Sequence, residues 1–286
     1  MNKNGIFALI HIYSMEQYSK VRYWIDALPK KGRIVFSQQE VEKQFPHLSL
    51  AAIRKSLYRL VANGKIQSVW HGFFVIVPVE YGLKGIVPPI EYIDQLMKHL
   101  GKEYYMALLS AAALQGASHQ QPQEFTIITN SGNLRGKVKK DVKINFVTKK
   151  NIPYQLVTQM MTNNGYINVS TPELTAFDLI IYAKNVGGLN RAATVLNELA
   201  ETLNFDHIDV HSMRLFDAAI IQRLGYLLET LGHDGLASVI ERKSREAAIK
   251  FNRYPLRVAP QKNLSDFEMD KKWKLIINEE IDESIN

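Results

Sequence analysis

The chain has 286 residues, of which 46% are hydrophobic and 22% are charged, values typical of folded soluble proteins rather than disordered ones. A chain of this length predicts one large domain or two ordinary ones. The sequence contains no cysteine, which excludes disulfides, thiolate nucleophiles and cysteine-ligated metal centres.

The net charge of +7 is concentrated near the N-terminus. Residues 1–80 carry eleven Lys or Arg against five Asp or Glu, whereas the rest of the chain carries 24 basic and 23 acidic residues. A local positive excess attracts polyanions and favours phosphate contacts through counterion release. We therefore expect nucleic acid to bind within residues 1–80.

Membrane and secretion signals are weak in this sequence. The apolar run at 6–10 is shorter than the hydrophobic region of a signal peptide. No run approaches the roughly 18 apolar residues that span a bilayer. We expect a cytoplasmic protein without a membrane partner.

The first eighty residues predict three helices and a hairpin. Apolar residues at helical spacing indicate a helix over 14–28, and a short strand follows at 33–36. A capping box begins a second helix at 37–45, and an apolar stripe marks a third at 49–62. The β-prone residues of 65–77 form the hairpin. This order is that of a winged helix-turn-helix.

The third predicted helix carries the main candidate DNA-binding face. Opposite its apolar stripe lie Arg54, Lys55, Tyr58 and Arg59, and its candidate cap, Ser49, is included in the interface. Such a helix fits the major groove, about 12 Å wide, where Arg or Lys can read guanine O6 and N7. Taken alone these residues could be a solvated helix face, but the neighbouring helix and hairpin favour DNA binding.

Further candidate DNA contacts flank this helix. In the hairpin, Lys65, Trp70 and His71 are placed to meet phosphate or the minor groove. Trp70 could equally pack against the third helix, and His71 fits a turn. At the positive end of the second helix, Ser37 and Gln38 could donate to a phosphate, although capping alone explains Ser37.

A Gly- and Pro-rich stretch at 81–89 predicts a linker, and residues 90–286 predict a second domain. We therefore predict an α+β protein, with a winged helix-turn-helix over 1–80 and a C-terminal α/β domain containing a small sheet and several helices. Helices are expected at 93–100, 104–116, 170–184, 189–203, 212–231 and 236–251, and strands at 124–129, 142–147, 166–169 and 272–277.

A second basic cluster lies between two of these strands. Its position, with Gly132 and Gly136 nearby, predicts an exposed hairpin loop. The cluster contributes either to solubility or to an accessory contact with nucleic acid or a partner. It consists of Arg135, Lys137, Lys139, Lys140 and Lys143.

Signatures of catalysis are missing from the sequence. It contains no phosphate-binding loop, no dinucleotide fingerprint and no nucleophile elbow, so we expect no catalytic residue and no cofactor. His207 and His211 are spaced like metal ligands on a helix, but the surrounding residues favour a loop, and we expect no metal. A structural network of buried polar groups is predicted among Glu173, Asp178 and Arg223.

Over nearly its whole length the sequence resembles the AbiEi family, the antitoxins of type IV toxin–antitoxin systems that act in abortive infection. The segments that carry the resemblance are IRKSLYRLV at 53–61 with GKI at 64–66, YYMALLSAAALQGA at 104–117, STPELTAFDL at 170–179, GGLNR at 187–191 and QRLGYLLE at 222–229.

The resemblance implies an N-terminal winged helix that represses its own operon and a C-terminal domain that neutralises a nucleotidyltransferase toxin, directly or indirectly. It also implies operator DNA with inverted repeats, bound by a monomer or a dimer. Arg54, Lys55 and Arg59 match the basic positions of the family's recognition helix.

Two other hypotheses belong to different classes of function. One is a one-component regulator whose second domain binds a small ligand, which an apolar pocket in that domain would favour. The other is an enzyme acting on nucleic acid or nucleotides. A nucleotidyltransferase would need Gly-Ser followed by an Asp-x-Asp metal site, and the sequence lacks that arrangement.

Overall fold

The computed structural model describes residues 3–83, 85–117, 124–130, 132, 134, 137–139, 142–258 and 264–282; the side chains of 3–14, 137–139 and 142 are outside this description. The chain is a mixed α+β protein that divides into two compact units. Unit 1 comprises 1–102 with 138–142 and 161–167, and unit 2 comprises 103–137, 143–160 and 168–286.

The division between the units follows residue 102, so the predicted linker at 81–89 lies inside unit 1. Two contacts explain this difference. The Val87 amide donates to Gln67 Oε1 at 2.8 Å, and the ring of Phe73 lies 4.9 Å from that of His99. Gly and Pro therefore mark turns here that fold back onto the preceding hairpin.

Unit 1 begins with two long helices separated by a strand and a short helix. Its elements are α1 (Lys3–Ala27), β1 (Val35–Ser37), α2 (Gln38–Gln44), α3 (Leu50–Ala62), β2 (Ile66–Trp70), β3 (Phe73–Ile76) and α4 (Ile93–Leu100). Helix α1 starts eleven residues before its predicted beginning at 14, because residues 3–13 continue the helix without an amphipathic repeat that the pattern could reveal.

Strands β1, β2 and β3 form an antiparallel sheet in the order β1-β3-β2. Its core is aromatic on one side, where Phe36 stacks on Phe74 at 5.5 Å and meets the edge of Trp24. Val21 and Ile25 of α1 are fully buried in the same core. Burying these side chains holds α1 and the sheet together around α3.

Most of a larger sheet covered by helices belongs to unit 2. The strands of this sheet are β4 (Tyr104–Met106), β5 (Glu124–Thr129), β6 (Lys137–Lys139), β7 (Val142–Thr148), β8 (Val157–Thr162) and β9 (Gly165–Ser170), in the order β6-β7-β5-β4-β9-β8. The parts of β6, β7, β8 and β9 that fall within 138–142 and 161–167 are counted with unit 1. The helices of unit 2 are α5 (Leu108–Leu114), α6 (Pro172–Ile181), α7 (Ala183–Val186), α8 (Leu189–Leu199), α9 (Val210–Met213), α10 (Ala218–Thr230) and α11 (Asp234–Glu246). A small second sheet contains β10 (Tyr254–Pro255), β11 (Met269–Asp270) and β12 (Leu275–Ile276).

The predicted helix at 104–116 is wrong in its first turn. Residues 104–106 form β4, a buried strand that pairs antiparallel with β5 and parallel with β9. Leu108, the first residue of α5, has a φ of +54°, in the left-handed region, so the chain changes direction between β4 and the helix. The pairing with neighbouring strands, which is distant in sequence, overrides the helical preference of the Ala-rich segment.

The helices of unit 2 follow the predicted starts more closely than the predicted ends. Thr171 caps α6 by accepting a hydrogen bond from the Leu174 amide, and Pro172 occupies its first turn. The helix stops at Ile181, however, and α7 ends at Val186, before Gly187, whose φ is +104°. A loop at 214–217 likewise divides the predicted helix at 212–231 into α9 and α10.

Close packing fixes α10 against the small sheet. The Trp273 side chain is fully buried, and a Cβ added at Gly225 would overlap its ring. Trp273 Nε1 also donates to Glu229 Oε2 at 2.5 Å. Glycine at 225 therefore allows the indole to lie directly on the helix backbone.

None of the helices in the described residues is both long enough and apolar enough to cross a bilayer.

Candidate nucleic-acid interface

The candidate interface is centred on helix α3, whose ends are fixed by local hydrogen bonds. Ser49 is exposed, and its Oγ accepts from the Ala52 amide at 3.2 Å. At the other end Gly64 has a φ of +65°, and the Lys65 amide donates to Leu60 O. These two caps place the helix as predicted.

One face of α3 is buried and the other is exposed. Ile53, Leu57 and Leu60 are at most 2% exposed in the core of unit 1. Arg54 and Lys55 are exposed on the opposite face, and neither forms an ion pair with another described residue. Two cations without a carboxylate partner are therefore available to an external anion.

An exposed tyrosine lies beside these cations. Tyr58 is 75% exposed, which is unusual for a large side chain that gains free energy when its ring is buried. Its position one turn after Arg54 puts both side chains on one face of α3. The exposed face of α3 therefore carries the ring and hydroxyl of Tyr58 beside the positive charges of Arg54 and Lys55.

Arg59 differs from the other three predicted residues on this helix. Its guanidinium carbon lies 5.8 Å from the centre of the Tyr18 ring of α1, and the residue is only half-exposed. Asn63 Nδ2 donates to the Tyr18 hydroxyl at 3.4 Å. Arg59 is therefore oriented by packing against α1, a role that periodicity alone does not reveal.

The start of α2 is closed by a capping box. Ser37 is 6% exposed; its Oγ accepts from the Glu40 amide, and Glu40 Oε2 accepts from the Ser37 amide. Glu40 also accepts a hydrogen bond from Arg33. Burial is the largest single effect on the pKa of the Glu40 carboxyl and raises it, but the bonds from Arg33 and Ser37 and the charge of Arg33 together outweigh burial, so the pKa is lowered. The structure thus places Ser37 as a cap with little surface for a phosphate.

The hairpin is attached to the same end of α2. The Gln38 amide donates to Gly72 O at 2.8 Å, while the Gln38 side chain donates to Glu42. His71 and Gly72 form the two-residue turn of the hairpin, and Gly72 has a φ of +68°, in the left-handed region that such turns use. The tip of the hairpin is therefore held next to the start of α2.

The predicted contacts of the hairpin differ in their exposure. Lys65 and His71 are exposed, whereas Trp70 is half-buried beside an irregularity in the pairing of β2 with β3. Lys65 and His71 thus remain accessible to a ligand along most of their side chains.

The second basic cluster is only partly described. Arg135 and Lys140 lie outside the described residues, as do the side chains of Lys137 and Lys139 in β6. Lys143 Nζ lies 2.8 Å from Glu124 Oε1, and this pairing with a hydrogen bond from Asn145 lowers the pKa of Glu124. The described member of the cluster is therefore neutralised by a neighbouring carboxylate.

The predicted network of Glu173, Asp178 and Arg223 is wrong, because each group has a separate partner. Glu173 accepts from the Asn204 amide at 2.9 Å, and Arg223 donates to Pro255 O. Asp178 is fully buried in α6 and has other partners.

The partners of Asp178 lie in β4 and directly after β7. Its carboxylate accepts from the Tyr105 hydroxyl at 2.7 Å and from Lys149 Nζ at 2.8 Å. Burial raises the pKa of Asp178, and the Lys149 ammonium opposes the rise. The sequence contains no local signal for this pair, since Lys149 follows β7 and lies 29 residues from Asp178.

The candidate metal face around His207 is also absent from the described residues. Asp209 caps α9 by accepting from the Ser212 amide at 2.6 Å. His207 Nε2 lies 3.3 Å from Asn204 Nδ2. No group of three His, Asp or Glu side chains in the described parts of the chain is arranged to hold a metal ion.

A family comparison assigns much of unit 2. Residues 105–230 match the family model described as the AbiEi antitoxin C-terminal domain. This part of the chain is an AbiEi antitoxin domain. The family predicted from the sequence is thus confirmed for these residues. The AbiEi domain begins in β4, ends with α10, and contains Tyr105, Lys149, Asp178 and Arg223.

Comparison with solved structures extends the likeness beyond the AbiEi domain. The RV2827C protein from Mycobacterium tuberculosis is similar over 88% of this chain and 89% of its own, with a TM-score of 0.59 and 12% sequence identity. At that identity the likeness shows a shared fold.

A second solved structure is less similar. An antigenic nucleotidyltransferase-like protein from Paracoccidioides brasiliensis matches 53% of this chain and 90% of its own, with 12% identity and a TM-score of 0.34, too low to define a common fold. No curated protein gives a significant match to the chain.

Proposed function

We propose that unit 1 is a winged helix that binds double-stranded operator DNA and represses its own operon, and that the AbiEi domain neutralises a nucleotidyltransferase toxin encoded beside it. The observation that carries the DNA-binding part is the exposed cationic face of α3. The antitoxin part rests on the family match of residues 105–230.

The arrangement around α3 supports the winged-helix proposal. The order α1, β1, α2, α3, β2, β3 and the three-stranded antiparallel sheet are those expected of that fold. Helix α3 follows α2 after a short turn, and the hairpin of β2 and β3 follows α3. In such a fold the third helix enters the major groove and the hairpin contacts the adjacent backbone.

The chemistry of the exposed side chains suggests which of them contact bases and which contact the DNA backbone. Arg54 and Lys55 are free to donate to base edges or phosphates, and Tyr58 can donate its hydroxyl to a phosphate. Arg59 is fixed by Tyr18, so we assign it to the DNA backbone rather than to base reading. Lys65 extends the same positive surface toward the hairpin, where the His71 side chain is also exposed.

A non-enzymatic role for the second unit is consistent with the missing phosphate-loop, dinucleotide and hydrolase motifs. In this proposal the domain protects the cell by acting on the toxin, by direct binding or indirectly. Operator recognition by unit 1 then sets the amount of toxin and antitoxin together.

The proposal is tested by DNA binding of the full chain in fluorescence anisotropy. The duplex is taken from upstream of the chain's own gene and carries its inverted repeats, and a scrambled duplex is the comparison. Arg54→Ala and Lys55→Ala should each weaken specific binding by about 1–3 kcal/mol if they read bases. Lys31→Ala removes the same charge from an exposed turn outside α3 and should have a smaller effect.

The two activities are separated by growth assays with the neighbouring toxin gene. The Arg54→Ala/Lys55→Ala double variant of the full chain should lose repression of a reporter but still protect cells from toxin expressed from an unrelated promoter. If the double variant keeps operator binding, the interface is assigned to the wrong face. If it loses protection as well, repression and neutralisation are not divided between the units as proposed.

A further inference from the structure

Unit 2 contains a cavity of about 610 Å³ that the proposed function does not use. This volume lies within the range of roughly 300–1,000 Å³ that small-molecule sites occupy. Its walls come from the end of α6, the segment of α7, the Gly187–Gly188 turn, the start of α8 and residues 256–258. All of these residues belong to unit 2.

The charges that line the cavity do not balance. Among the described residues in its wall are three cations, Lys184, Arg223 and Arg257, and one carboxylate, Glu279. Glu279 is paired with Arg257, at 3.4 Å between Oε2 and Nε. Two positive charges therefore remain without a carboxylate partner in the described part of the chain.

Arg223 is the more informative of these two cations, because it is only 6% exposed. Its Nε and one terminal nitrogen both donate to a single neutral acceptor, Pro255 O, at 3.2 and 2.9 Å. Burial lowers the pKa of its guanidinium, as expected for a cation that has lost hydration. A buried guanidinium with no carboxylate is costly unless an anion completes its environment.

The backbone on one side of the cavity is also suited to an anion. Gly187 and Gly188 have φ values of +104° and +106°, which a side chain would strain, and a Cβ at Gly188 would point into open space. Helix α8, which starts directly after them and has eleven residues, has no side-chain cap. Leu189, the first residue of α8, lines the cavity, so the positive end of this helix lies beside the site defined by Arg223 and Lys184.

We propose that this cavity binds a small organic phosphate of about nucleotide size. A phosphate dianion would neutralise Arg223 and Lys184 together, and guanidinium is the side chain best matched to its oxygens. The half-buried ring of Tyr182 and the buried side chains of Leu189 and Leu256 provide an apolar surface for the rest of the molecule. The proposal concerns unit 2 and does not depend on DNA binding by unit 1.

The test is isothermal titration of the full chain at constant ionic strength with three probes: inorganic phosphate, adenosine 5′-monophosphate and adenosine. The wild-type chain should bind both phosphate-containing probes, and adenosine should bind more weakly than its monophosphate. Arg223→Met should weaken phosphate binding about tenfold or more, because hydrogen bonds to a charged group are lost. Lys184→Ala should also weaken phosphate binding. Because the Lys184 side chain is exposed, this variant should fold like the wild-type chain.

Arg253→Ala is the matched control, since it removes the same charge from an exposed residue of unit 2 that does not line the cavity. It should bind inorganic phosphate and adenosine 5′-monophosphate like the wild-type chain. If neither phosphate nor the monophosphate binds the wild-type chain, the proposal is wrong. It is equally overturned if Lys184→Ala leaves binding unchanged, or if Arg253→Ala weakens binding as much as the cavity variants do.

Without a probe, Arg223→Met should be at least as stable as the wild-type chain in urea denaturation, because methionine fills a similar volume without carrying a buried charge. A strongly destabilised Arg223→Met variant would indicate that the guanidinium is a structural tie to Pro255. In that case Arg223 is removed from the site and the proposal fails.

Discussion

Replacing Lys149 with methionine should destabilise the AbiEi domain, because the change leaves the Asp178 carboxylate buried without its cation. Asp178 is fully buried, and only the Tyr105 hydroxyl would remain as a hydrogen-bond donor from the present pair. Removing one partner of a buried ion pair typically costs about 3–5 kcal/mol. Because the hydrogen bond from Tyr105 is retained, we expect the lower end of this range, a decrease of about 3 kcal/mol in the free energy of unfolding. For a unit of this size that corresponds to a decrease of roughly 6–12 °C in Tm.

The loss should depend on pH. The pKa of Asp178 in the folded chain is raised by burial, so its protonation favours the folded state. Such a group contributes stability that is present below its unfolded pKa and is lost as pH rises through the folded pKa. Without Lys149, which opposes the rise, the variant should approach the stability of the wild-type chain in acid and fall further below it toward neutral pH.

Urea denaturation at pH 5 and pH 8, followed by circular dichroism, measures both effects. Lys143→Met is the matched control, because its ion pair with Glu124 is exposed on both sides and should contribute less than about 1 kcal/mol. The Lys149→Met/Asp178→Asn double variant should recover part of the loss, since no buried charge remains. Equal losses for the two lysine variants, or a loss at Lys149 that is the same at both pH values, would refute the account of the pair.

Three further predictions concern packing, capping and electrostatics. Gly225→Ala should destabilise the chain by about 1–3 kcal/mol in thermal unfolding, because a methyl group there overlaps the Trp273 ring; an unchanged Tm would contradict the packing. Ser37→Ala should cost about 1 kcal/mol through loss of the α2 cap while leaving operator affinity nearly unchanged; a selective loss of affinity would restore Ser37 as a DNA contact. Operator binding should fall with a slope of about −3.6 to −5.4 in log affinity against log salt if about four to six phosphates are neutralised; a flat dependence would exclude the electrostatic contribution.

Elements with local signals could be predicted from the sequence. Ser49 and Gly64 mark the ends of α3, and the capping box at Ser37 marks the start of α2, because these hydrogen bonds join residues only a few positions apart. The exposed positions of Arg54 and Lys55 follow from the same periodicity. The most informative part of the candidate site thus depended only on short-range patterns.

Features that depend on distant residues could not be predicted. The sequence of 104–106 favours a helix, and β4 forms there only because it pairs with β5 and β9, which lie far along the chain. The partner of Asp178 was missed for the same reason, and Arg59 was placed with the free cations because its contact with Tyr18 joins two separate helices. Likewise, only the structure shows that Arg223 is buried without a carboxylate partner among the described residues.

Hydroxyl-radical footprinting of the full chain on the DNA upstream of its own gene tests most directly whether α3 reads operator DNA, as we propose. The account predicts protection at the inverted repeats, with each half-site covered over one face of the duplex and with protection lost in the Arg54→Ala/Lys55→Ala variant but kept in Lys31→Ala. Protection that is absent in the wild-type chain, or that persists unchanged in the α3 double variant, would contradict it.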